Sequence, residues 1–183
     1  MPDLGSGSKR AWRRARSFDE LCELGARFSA GELDSFPGWG ASALDTESDS
    51  ISKHLVQLNQ AGFLTLASQP GRRSQRAFVC GFARAPLARA LVLGARRAGL
   101  GAMRQTARGR GGPAVAVTLQ DGEPRVFTGH AARTEELALF QTWVGTKALR
   151  ELARADYVSL HDPVWRRQQR LWKVIEGVLS ARS

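Results

Sequence analysis

The chain has 183 residues, with 27 Lys and Arg against 17 Asp and Glu and a formal charge of +10, a length that suits one domain burying roughly 70% of the surface its unfolded chain exposes. Cys22 and Cys80 show no CxxC or Cys/His spacing, which argues against a disulfide framework or a zinc site. No stretch approaches the roughly 18 uncharged apolar residues of a membrane span and the start has no apolar leader segment, so neither a span nor secretion is predicted and a reducing cytosol is expected.

Residues 1–16 read as a flexible basic tail and 17–183 as a single domain. The tail includes Trp12 among Arg10, Arg13, Arg14 and Arg16. That setting suits nucleic acid or an acidic protein face, or an amphipathic turn that packs the indole and leaves its charges wet. A first helix opens at the capping box Ser17 to Glu20, with Phe18, Leu21, Leu24 and Phe28 at helical spacing. An acidic, breaker-rich loop follows, then a second helix near 49–61 carrying Ile51, Leu55 and Leu58. The residues flanking Pro70-Gly71 predict a hairpin with strands near 63–67 and 75–82. A helix over 86–98 starts at Pro86 and stops at Gly99. Residues 99–107 hold a short strand, 108–113 a loop, and Asp121-Gly122 signals a second hairpin. Helices are predicted over 134–154 and 163–180, the last with Leu171, Val174, Ile175, Val178 and Leu179 on one face. Hairpins without strict helix and strand alternation give an α+β fold, a mainly antiparallel sheet of about five strands flanked by helices.

Charge is unevenly spread. Residues 17–49 carry Arg27 against eight acids, whereas Ser50 to Gln120 holds eleven basic residues and no Asp or Glu. Those guanidinium groups need acids from elsewhere in the fold, solvent, or an anionic ligand. The plainer alternative is that the acidic 17–49 segment packs across them.

The block LNQAGFLTLASQPG at 58–71, with QRAFVCGFA at 75–83, resembles an uncharacterised actinobacterial family of unknown function whose members carry an LNxAGFxTxxSQPG block. Leu58, Asn59, Ala61, Gly62, Phe63, Thr65, Ser68, Gln69, Pro70 and Gly71 carry the match. The resemblance implies a shared fold and a bacterial cytosolic setting, and no mechanism.

Ser68 and Gln69 precede a Pro-Gly turn that did not require them. Their neutral donors and acceptors suit a base edge, a ribose or a phosphate, and Arg72, Arg73 and Arg76 beside them suit an anion. The competing reading is that both residues hydrogen-bond the turn backbone. Arg108 and Arg110 form a second basic loop that does not match a P-loop, and Arg96 and Arg97 reach toward the same rim. Cys80 with His130 is the one conceivable thiol and base pair, though Cys80 suits a buried apolar role better. His54 reads as a core or rim histidine, and His161-Asp162 as a cap for the final helix. Three scattered histidines indicate no metal, and no cofactor is expected. The leading expectation is a binding protein whose carboxylate-free surface meets a phosphate-rich ligand, most of all nucleic acid. The alternatives are a small enzyme or sensor with a nucleotide-like ligand at the Ser68-Gln69 loop, and an interaction module for an acidic protein.

Overall fold

The computed structural model describes residues 6–38, 46–109, 111–129 and 133–182. Helices α1 (Ser6–Arg14) and α2 (Phe18–Ser29) lead through a 3-10 turn to α3 (Ser52–Gln60) and the hairpin β1 (Phe63–Gln69) and β2 (Phe78–Ala83). Then come α4 (Ala85–Arg97), β3 (Gly101–Gln105), the hairpin β4 (Val115–Gln120) and β5 (Glu123–Thr128), α5 (Arg133–Gln141), α6 (Thr146–Leu152), β6 (Asp156–His161) and α7 (Arg170–Ser180). The α+β expectation holds. The strands divide into a four-stranded antiparallel sheet in the order β1-β2-β6-β3 and a separate pair β4-β5.

Alternation in β2 explains the layering. Phe78, Cys80 and Phe82 face one buried cluster with Trp12, Phe18, Leu64, Phe140 and Tyr157. Val79 and Ala83 face the other, with Leu55, Leu91, Leu160, Leu171 and Ile175. Successive strand side chains point to opposite faces, so a strand buried on both sides reads as one apolar run. The sheet is therefore the middle layer, with α3, α4 and α7 on one face and α1, α2, α5, α6 and the β4-β5 hairpin on the other.

Four local expectations are corrected. The tail from Ser6 onward is helical, because Trp12 is fully buried and its Nε1 donates to the Ser35 carbonyl at 3.1 Å. Its ring meets Phe36 and Phe140 edge-on at 5.1 Å and 6.4 Å between centroids. The helix expected over 134–154 is two helices, broken between Gln141 and Thr146. The strand β6 was not anticipated at all, although it is the central partner of both β2 and β3. The last helix begins at Arg170 rather than 163. Asp162 does not cap it: its carboxylate accepts from the Val164 N–H at 2.9 Å and from Arg167 Nε and Nη2, each at 2.7 Å. Gly62 ends α3 as expected, and Ser17 caps α2 by accepting from the Glu20 N–H at 3.2 Å, while the Glu20 carboxylate accepts from the Arg16 N–H at 2.9 Å rather than from that of Ser17.

Candidate functional site

Strand register sorts the predicted residues between the two ends of the sheet. Gln69 pairs with Phe78, Phe78 with His161, and His161 with Gly101, so these four mark one end. The turn 70–77, the last turn of α4 with Arg96 and Arg97, and the loop leading into α7 gather there. Arg108 follows β3 at the opposite end, beyond the Gln105 and Tyr157 pair. The structure therefore brings Ser68, Gln69, Arg72, Arg73, Arg76, Arg96 and Arg97 to one end of the sheet and separates Arg108 from them. Arg110, His130 and Trp39 lie outside the described residues.

Ser68 and Gln69 do not converge. Ser68 pairs with Val79 and Gln69 with Phe78, and neighbours in an unbroken strand point to opposite faces. The Gln69 amide is committed to the fold: Nε2 donates to the carbonyls of Arg76 and Val117, both at 2.7 Å, and Oε1 accepts from Thr118 Oγ1 at 2.8 Å. This side chain bolts the second hairpin to the first. Two further bonds complete the joint, Arg76 N–H to Val117 O at 2.8 Å and Leu119 N–H to Ser74 O at 2.8 Å. Gly71 closes the turn at φ +87°, where a Cβ would stand 2.7 Å from the Ala77 nitrogen. Only glycine meets both demands without strain.

The arginines of this turn have distinct roles. Arg72 and Arg73 are exposed. The Arg76 guanidinium lies 4.3 Å from the centroid of the Trp165 ring, and its Nη1 donates to the Ala116 carbonyl at 3.0 Å. Beneath it, burial and then the Arg76 charge push the His161 imidazole below the usual histidine range, against the opposing pull of Asp162.

Trp165 and Arg166, which sequence reasoning left inside a helix, complete the cluster. The buried Asp162 carboxylate grips Arg167 bidentately and stays below the ordinary carboxylate range: burial opposes ionisation, but the Arg167 bonds, the Val164 N–H and the charges of Arg167 and Arg170 together outweigh it. Arg166 adopts φ +66°, which costs a non-glycine residue on the order of 1–2 kcal/mol. Its N–H bonds the Gln75 carbonyl and its Nε the Arg73 carbonyl, each at 3.1 Å, so contacts with the basic turn hold the strained residue. The signal in the sequence was the run Trp165-Arg166-Arg167 one residue after Asp162-Pro163.

Neutralisation is concentrated at the other end. Arg84 pairs with Asp19 at 2.7 Å and reaches Glu151 at 3.8 Å, while Arg104 meets Asp156 at 2.6 Å. Asp19 is the one residue of 17–49, among those described, that forms an ion pair with the basic stretch. Glu32 pairs with Arg27 instead, and Asp34 accepts from Ser8. A groove of about 560 Å³ between α2 and α3, lined by Asp19, Glu23, Arg27, Glu32 and Asn59, lies on this side and holds none of the predicted positions.

Catalytic chemistry finds little support among these groups. Burial pushes the Cys80 thiol up to about 12, with a Tyr157 hydrogen bond pulling weakly the other way, and the thiolate is the reactive form. His54 stacks on Trp172 at 5.5 Å, with its Nδ1 2.8 Å from a Glu176 oxygen. Among the described residues no group of three metal-ligating side chains forms, and no helix is long and apolar enough to cross a membrane.

A stretch of 66 residues is 30% identical to methylenetetrahydrofolate reductase 1 of Schizosaccharomyces pombe; it spans 36% of this chain and 11% of the reductase. The match to a family model is far more extensive, running over residues 7–182. The chain belongs to the family described as domain of unknown function DUF6919.

Proposed function

We propose that the protein binds a phosphate-rich ligand, nucleic acid before free nucleotide, at the arginine-rich end of its sheet. One observation carries this reading: Arg72, Arg73, Arg96, Arg97 and Arg166 are exposed there, and among the described residues none has a carboxylate within ion-pair distance. Clustered like charges repel one another, and an arriving polyanion relieves that repulsion while releasing its own counterions. The planar guanidinium suits phosphate oxygens through paired N–H donors. Because Arg166 ties the α7 loop to the turn and Gln69 ties the turn to the second hairpin, the backbone carrying Arg72, Arg73 and Arg166 is held in place before the ligand arrives.

A second reading, a sensor or enzyme for a small nucleotide-like ligand near Ser68, draws on the uncommitted hydroxyl of that residue. Ser68 is half-buried and its hydroxyl makes no hydrogen bond among the described residues, whereas Gln69 is fully engaged.

Filter-binding titrations at several salt concentrations separate the readings. The slope of log K against log salt should be about −0.7 per phosphate contact for single strands and about −0.9 for duplex. Replacing Arg72 and Arg73 by Gln, or Arg96 and Arg97 by Gln, should each flatten that slope by roughly one to two units. Both pairs are exposed, so folding should survive. Absence of oligonucleotide binding at low salt, or an unchanged slope in both double variants, overturns the proposal. Salt-insensitive nucleotide binding lost in Ser68→Ala would favour the second reading.

A further inference from the structure

We infer that the ligand of this basic end is a single strand with unpaired bases, and that Trp165 is the surface on which a base stacks. The inference rests on the nucleic-acid reading above. Its own ground is the aromatic geometry. Trp165 is half-buried, with the Arg76 guanidinium 4.3 Å from its ring centroid and part of the indole at the surface. Two devices fix the loop that carries the ring: Asp162 clamps Arg167 just beyond it, and Arg166 is pinned in the left-handed region by the carbonyls of Gln75 and Arg73. A rim side chain that served only to cover the sheet would not require so constrained a loop, and strain of this kind gathers at ligand-contacting sites.

The surroundings match what a single strand needs. An aromatic face takes a base of any identity, while flanking cations follow the phosphates. A duplex keeps its base faces stacked inside and could use only the cations. Among the described residues the other tryptophans do not compete for the role: Trp12 and Trp172 are buried at 0% and 2% exposure, and Trp143 packs against the cluster that holds Trp12, under Lys9 at 5.1 Å.

Two measurements decide it. In the first, Trp165→Ala and Trp165→Phe are titrated with an oligothymidylate and with a duplex of equal length. The alanine variant should lose roughly tenfold in single-strand affinity, with the duplex affinity and both salt slopes nearly unchanged. The phenylalanine variant should recover most of the loss. In the second, tryptophan emission of the wild-type protein should be quenched as oligothymidylate saturates it, and the quench should disappear in Trp165→Phe, a change mild enough to preserve the fold. Equal loss on duplex and single strand, an unaltered preference in the alanine variant, or a quench that persists in Trp165→Phe overturns the stacking role while leaving the basic-end reading intact. Failure of the wild-type protein to bind either oligonucleotide at low salt overturns both.

Discussion

Gln69 shows how one side chain can belong to a candidate site without touching its ligand. Its three hydrogen bonds reach the backbone of Arg76 and two residues of the second hairpin, Val117 and Thr118. Gln69→Ala should leave those buried carbonyls short of a donor, at a cost on the order of 2 kcal/mol, or a fall of about 4–8 °C in melting temperature for a chain of this size. Ser68→Ala should stay within about 0.5 kcal/mol, because no bond is lost. Urea and thermal melts of the two variants check the contrast; equal destabilisation would show that the joint between hairpins lies elsewhere. The surplus polarity of the turn was legible in the sequence, and so was one use of it, the bond from Gln69 to the turn backbone at Arg76. The other two Gln69 partners lie 48 and 49 positions away, and no local pattern encodes a pairing across that distance. Pro70-Gly71 was legible because its demand is local.

At the scale of elements, periodicity marked the segments that repeat for several turns and missed those that do not. Helix α7 was readable because Leu171, Val174, Ile175, Val178 and Leu179 recur at helical spacing; of these Leu171 and Ile175 are buried against the sheet, with Trp172 beside them. Val174 and Leu179 pack only at its margin. Leu171→Ala should cost about 2–5 kcal/mol, read from urea unfolding, while Leu179→Ala should cost clearly less. A Leu171→Ala loss below about 1 kcal/mol would mean that α7 is an appendage rather than part of the sheet's cover. Strand β6 escaped notice for a physical reason. Its six residues Asp156–His161 are almost wholly buried, but Asp156, Ser159 and His161 interrupt Tyr157, Val158 and Leu160 without strict alternation, so this short segment between two helices has no period to distinguish it. The loop after it was concealed too, since Trp165-Arg166-Arg167 continues a plausible helical pattern. What prevents the helix is tertiary: the Asp162 clamp and the hold of the basic turn on Arg166.

Across the whole molecule, the composition gives the net charge but not its arrangement. Among the described residues, the acidic segment meets the basic stretch in an ion pair through Asp19 alone. Asp19, Glu151 and Asp156 neutralise Arg84 and Arg104 at one end of the sheet, and the other end keeps Arg72, Arg73, Arg96, Arg97 and Arg166 without carboxylate partners among the described residues. Such an arrangement predicts how stability responds to ionic strength. Below about 0.1 M salt the screening length exceeds roughly 10 Å, and repulsion among these exposed cations opposes the folded state, which holds them closer than an unfolded chain would. Melting temperature should therefore rise as sodium chloride is raised from low concentration. Arg96→Gln with Arg97→Gln should raise the low-salt melting temperature and weaken its dependence on salt, since two of the repelling charges are gone. Ion pairs respond with the opposite sign: the Arg167 bond to Asp162 and the Arg104 bond to Asp156 are weakened by added salt, although Asp162 and Asp156 are buried enough to be screened little. A melting temperature that falls with salt in the wild-type protein, and is indifferent to the double substitution, would show that these pairs outweigh the exposed arginines. The basic end would then store no repulsion for a polyanion to relieve.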